Sequence, residues 1–195
     1  MTQVLSAILG GGRLLVVGAA EATSILRAVL GATPLAARQH LSLSCGLRPS
    51  SSRKFQIVFA GADPAKAQRV VHDDDVDVLC WGSPRPVSGE PFEAWLHLSR
   101  RQWETGRDEE LSRIASRLSQ EHSADALHRV AGLCADIEGI GLLNKERLDQ
   151  LALKYARETP QSEAFVHLLS KLRTAVEIRR AQLLMSPPTD SPFSQ

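Results

Sequence analysis

Three basic side chains and three hydroxyls crowd into the seven residues from Arg48 to Lys54, RPSSSRK. Guanidinium groups present a planar fork of donors that matches a carboxylate or a phosphate. Serine hydroxyls add neutral donors, and a lysine adds a compact charge. Arg48, Ser50, Ser51, Ser52, Arg53 and Lys54 are therefore the leading binding candidates, for a phosphate, a sulfate or an acidic peptide. The same composition also suits a solvated loop between two strands, which needs no ligand.

Four other groupings could carry chemistry, and each has a plain structural alternative. Gly18 follows an apolar run and invites a phosphate-loop reading, which requires GxxxxGK[ST]. Thr23, Ser24 and Ile25 occupy the positions of the second glycine, the lysine and the hydroxyl. The dinucleotide fingerprint fails as well, because Gly18, Ala20 and Thr23 stand where three glycines belong. Asp73, Asp74, Asp75 and Asp77 could hold a hard cation through oxygen ligands, or form a solvated loop. His122, Asp125 and His128 would share one broad face of a continuous helix and could ligate a transition metal. Cys45 and Cys80 end two strands, where α/β folds place reactive groups, with His40 and His72 as potential bases. No catalytic, metal or nucleotide signature is complete, so the chain reads as having no cofactor and leans away from being an enzyme.

The elements that would position these groups follow from periodicity. Residues 13–20, RLLVVGAA, form a continuous apolar run closed by glycine, the pattern of a strand buried on both faces in a parallel sheet. Residues 21–30 carry Ile25, Leu26, Val29 and Leu30 at helical spacing, and Gly31 and Pro34 are expected to end that helix. His40–Cys45 alternates apolar and polar, residues 54–60 read as the next strand, and the short polar link between them suggests a hairpin or tight return. Pro64–His72 reads as a short amphipathic helix, and Val76–Trp81 as a fourth strand. From Phe92 onward the character is helical. The stripes are Leu111, Ile114 and Leu118; Leu127, Val130, Cys134 and Ile137; Leu148, Leu151 and Tyr155; and Phe165, Leu168, Leu169, Leu172 and Val176. Thr159-Pro160 is expected to open the last helix. The fold class is α/β, a small sheet of about four strands with flanking helices, followed by an all-α C-terminal part. The expected division is an α/β domain at 1–100, a helical region at 101–185 and a disordered tail at 186–195.

Composition excludes several classes. Lys and Arg number 23 against 22 Asp and Glu, split ten to eight in residues 1–100 and thirteen to fourteen in 101–195. With no basic arm to neutralise phosphates, the chain reads as having no nucleic-acid partner. The three cysteines contain no CxxC pair, which excludes a zinc ribbon and argues against a disulfide framework. Each reads as a small buried side chain in a reducing cytoplasm. MTQVLSAILGGG has no basic n-region, and no apolar run approaches a membrane span, so a cytoplasmic protein without a membrane partner is expected. The start, close ahead of an apolar segment, also suits a piece of a longer protein.

The segment HLSLSCGLRPSSSRKFQIVFAGADP resembles a recurring pattern, roughly LSFSTGLRPSxRRPFRL, of bacterial GTPase-associated proteins. The likeness covers about residues 12–80 and includes ILRAVLGATPLAARQ at 25–39. It rests on Leu41, Ser42, Ser44, Gly46, Leu47, Pro49, Ser50, Arg53 and Phe55. Cys45 stands where threonine is usual, and Lys54-Phe55 where arginine, proline and an aromatic are usual. The element order also resembles a small GTPase, but GADP at 61–64 replaces DxxG and no NKxD follows Trp81. The resemblance implies a non-enzymatic adaptor that works with a GTPase in a conflict or signalling system. A degenerate nucleotide-binding or hydrolase domain is the alternative.

Overall fold

A computed structural model describes residues 1–45, 55–61, 76–83, 91–120, 122–160 and 162–185. The expected helix at Pro64–His72 and the tail at 186–195 lie outside the described residues. The chain divides into two compact units, Met1–Ala131 and Gly132–Gln195.

The first unit opens with α1 (Thr2–Leu9), β1 (Arg13–Val17), α2 (Ala22–Ala32) and α3 (Leu35–Arg38). Strands β2 (Leu43–Cys45), β3 (Ile57–Ala60) and β4 (Val76–Cys80) complete a sheet of order β2-β3-β1-β4. Every pairing in it is parallel. The central strand β1 is buried on both faces, as its unbroken apolar run requires. Leu15 and Val17 pack with Val58, Ala60, Val76 and Val78 on one side. Leu14 and Val16 face the other, in register with the buried Ile57, Phe59 and Leu79.

The parallel β2–β3 pair overturns the expected hairpin. Leu43 pairs with Ile57 and Cys45 with Phe59, so the chain returns to the amino end of the sheet before β3 begins.

Gly31 does not end α2 as expected. The helix runs one residue further, to Ala32, and stops because Pro34 holds Thr33 in extended backbone (ψ 126°). The Thr33 hydroxyl donates to Val29 O at 2.8 Å, and Arg38 Nε donates to Thr33 O at 2.8 Å. A Cβ on Gly31 would meet the Ser112 side chain at 3.6 Å, ordinary van der Waals contact. Gly31→Ala is therefore expected to stabilise the chain by about 0.5–1 kcal/mol in denaturant unfolding, since glycine in a helix interior costs that much.

Helices α4 (Glu93–Glu104) and α5 (Asp108–Ser116) belong to the first unit and pack on its earlier helices. Trp95, fully buried, donates Nε1–H to Ala32 O at 3.0 Å, and Ala36 N–H donates to Leu118 O at 3.1 Å. Leu111, Ile114 and Leu118 are all buried, as their spacing required.

The first unit ends within α6 (Ala124–Gly139). The second continues through a 3-10 turn at Ile140–Leu142, α7 (Lys145–Ala156) and α8 (Glu163–Met185). Phe165, Leu168, Leu169, Leu172 and Val176 bury one stripe of α8. The cap of α8 is Ser162 rather than Thr159, its hydroxyl accepting from Phe165 N–H at 3.3 Å. Arg180 pairs with Asp149 at 2.6 Å and Arg179 Nε donates to Leu143 O at 3.3 Å, tying the end of α8 to the start of α7. Asp136 Oδ2 accepts from Lys154 Nζ at 2.8 Å and from the Tyr155 hydroxyl at 2.7 Å.

Candidate functional site

Parallel α/β sheets bind ligands beyond the carboxyl ends of their strands. Here those ends carry mostly glycine and small side chains: Val17 leads into Gly18, and Ala60 into Gly61. Gly18 has φ +80°, a left-handed conformation that lets the chain turn from β1 toward α2. The residue capping α2 is Glu21. Glu21 is exposed and its side chain makes no capping bond, but an acidic residue at this position adds negative charge near the amino end of the helix, which disfavours a phosphate there. The loop after β1 is thus a strand-to-helix turn of the plain structural kind.

Cys45 and Cys80 end β2 and β4, the two edge strands, three strand spacings apart or about 14 Å. They do not meet. Cys45 is exposed rather than buried as expected, Cys80 is half-buried, and Cys134 alone is buried. Partial desolvation pushes the Cys45 thiol above its ordinary value, the opposite of what a thiolate nucleophile requires.

His122, Asp125 and His128 do not form one helical face. Ser123 caps α6, its hydroxyl accepting from Ala126 N–H at 3.3 Å and its carbonyl from Leu127 N–H at 3.0 Å. His122 therefore precedes the helix, while Asp125 and His128 are exposed within it. Among the described residues no three His, Cys, Asp or Glu side chains group to hold a metal ion. Asp77 is exposed in β4; His72, Asp73, Asp74 and Asp75 lie outside the described residues. So do Arg48, Ser50, Ser51, Ser52, Arg53 and Lys54, the expected binding turn.

Polar groups do converge at the opposite edge of the sheet. A cavity of about 370 Å³ opens at the amino ends of β1, β2 and β3. Its polar wall is Arg13, His40, Ser42, Gln56 and His122, and its apolar wall includes Ile8 and Leu9. The local chain explains the gathering. Gly10, Gly11 and Gly12 close α1, with Gly11 at φ +70° and Gly12 N–H donating to Ala7 O at 2.9 Å. Gln56 Nε2 then donates to Ala7 O and Ile8 O, each at 3.3 Å, satisfying carbonyls at the helix end and pinning α1 to the start of β3. Gln56 N–H donates to Ser42 Oγ at 2.9 Å, which pins the residues before β2 to the same place.

Arg13, Ser42 and Gln56 belong to no site motif in the sequence, and His40 reads there only as a potential base for Cys45 or Cys80. The one visible signal was that each apolar strand begins after or at a polar residue. Comparisons with protein-family models, with curated proteins and with solved structures return no match. What fold and site define is a parallel α/β unit with a cavity at its amino edge, followed by a helical unit.

Proposed function

We propose that the protein is a non-enzymatic interaction module, an adaptor that binds a protein partner in the cytoplasm. The observation that carries the reading is the distribution of exposed apolar side chains. Leu142, Leu153, Val166 and Ile178 of the second unit are between 52% and 91% exposed, and Leu184 and Met185 at the end of α8 are exposed as well. In the first unit, among the described residues, the large apolar side chains that reach the surface are Met1 and Leu35, at 39% and 36%. Single exposed apolar side chains are ordinary and contiguous patches mark surfaces that another protein covers, so it is the concentration of these side chains in one unit that supports the reading. No described helix is long and apolar enough to cross a membrane. The likeness of residues 12–80 to GTPase-associated proteins supports a GTPase as the partner, and the RPSSSRK turn supplies forked donors for an acidic segment of it.

The test is capture of partners from source cells by tagged full-length chain, compared with the triple variant Arg48→Ala, Arg53→Ala and Lys54→Ala. The expected result is loss of the captured protein with the melting temperature unchanged. Capture that survives the triple change removes the turn from the interface. GTP or ATP, added to the purified chain at a hundredfold excess over a genuine Kd, would stabilise it by about 2.7 kcal/mol. We expect no shift, and a clear one would replace the adaptor reading with a nucleotide-binding one.

A further inference from the structure

We infer that the cavity at the amino ends of β1, β2 and β3 binds a small oxyanion, the phosphate or carboxylate of a small molecule. The inference is independent of the adaptor reading and rests on donors that are available. Ser42 Oγ already accepts from Gln56 N–H, so its own hydrogen is the part left to offer, and no described residue takes it. The imidazoles of His40 and His122 likewise have no hydrogen-bond or ion-pair partner among the described residues. Arg13 adds a guanidinium to the same wall while keeping an interaction of its own.

Two imidazoles, a hydroxyl and a guanidinium supply N–H and O–H donors from three separate stretches of chain, and no carboxylate is among the described lining residues. That arrangement suits an anion, whose hydrogen bonds to charged donors are the stronger kind. It suits a metal cation poorly, because the guanidinium repels a cation and the wall holds two imidazoles with no third described ligand. The volume is at the small end of ligand pockets, enough for an anionic head and a short apolar body against Ile8 and Leu9.

The test is nuclear magnetic resonance of the histidine rings in the full chain, with inorganic phosphate titrated through the millimolar range. The rings of His40 and His122 are expected to shift together along one saturable curve, while those of His97 and His128 stay in place. Both site histidines are exposed, so His40→Asn and His122→Asn should fold, and each should weaken binding about tenfold, as loss of one charge-assisted donor does. Citrate in place of phosphate separates the two sources: whichever saturates the rings names the ligand group. A uniform drift of all histidines, an unchanged Kd in the double variant, or saturation by zinc but by neither anion overturns the inference.

Discussion

Replacing Trp95 with alanine is expected to lower the stability of the chain by about 3–5 kcal/mol, the loss typical of deleting a large buried aromatic. That is a large share of the 5–15 kcal/mol that holds a typical domain together. Trp95 is 0% exposed in α4, and its indole N–H donates to Ala32 O at the end of α2. The last carbonyls of a helix have no partner within it, so this bond satisfies a group that would otherwise be buried and unpaired. Trp95→Phe separates the two contributions. It keeps most of the apolar volume, removes the donor, and is expected to cost about 1–3 kcal/mol. Urea unfolding followed by circular dichroism measures both variants. An alanine variant within 1 kcal/mol or so of the parent would contradict the docking of α4 on α2.

The second large effect lies at high pH. The phenol of Tyr155 is pushed up to about 12 from its ordinary 10, first by burial and then by the hydrogen bond it donates to Asp136. The folded state favours the neutral phenol. Its stabilising contribution is therefore complete below about pH 10 and disappears as the pH rises through about 12. A difference of that size corresponds to at most about 3 kcal/mol lost across that window. Tyr155 is the only tyrosine in the chain, so phenolate absorbance reads it directly. Half-ionisation near the ordinary value in the folded protein would refute the argument. Lys154 donates to the same Asp136 oxygen and is shifted upward by it, so its charged form weakens in the same direction at high pH. Tyr155→Phe isolates the share of the phenol: it should flatten part of the alkaline loss and cost about 1 kcal/mol at neutral pH, where Asp136 keeps Lys154.

Local pattern determined most of the elements. RLLVV carries the signature of a doubly buried strand, a valine-rich run without polar alternation and closed by glycine, and it forms one. The stripe from Phe165 to Val176 repeats at helical spacing, and every member of it is buried in α8. Near-neighbour chemistry is enough for such decisions. It was also enough to set aside a phosphate loop at Gly18, where no lysine follows.

Tertiary structure alone decided how those elements associate. The direction of β2 against β3 depends on where the chain goes between them, and a short polar link is compatible with either direction, so the parallel pairing was not legible. Ser123 rather than periodicity decided that His122 stands outside α6. The cavity draws on residues from Ile8 to His122, which share no spacing and no motif. They meet because Gln56 and Ser42 bind backbone groups far away in the chain. Contacts of that kind leave no period in a sequence: their energy depends on separation in space, and only the folded chain sets it.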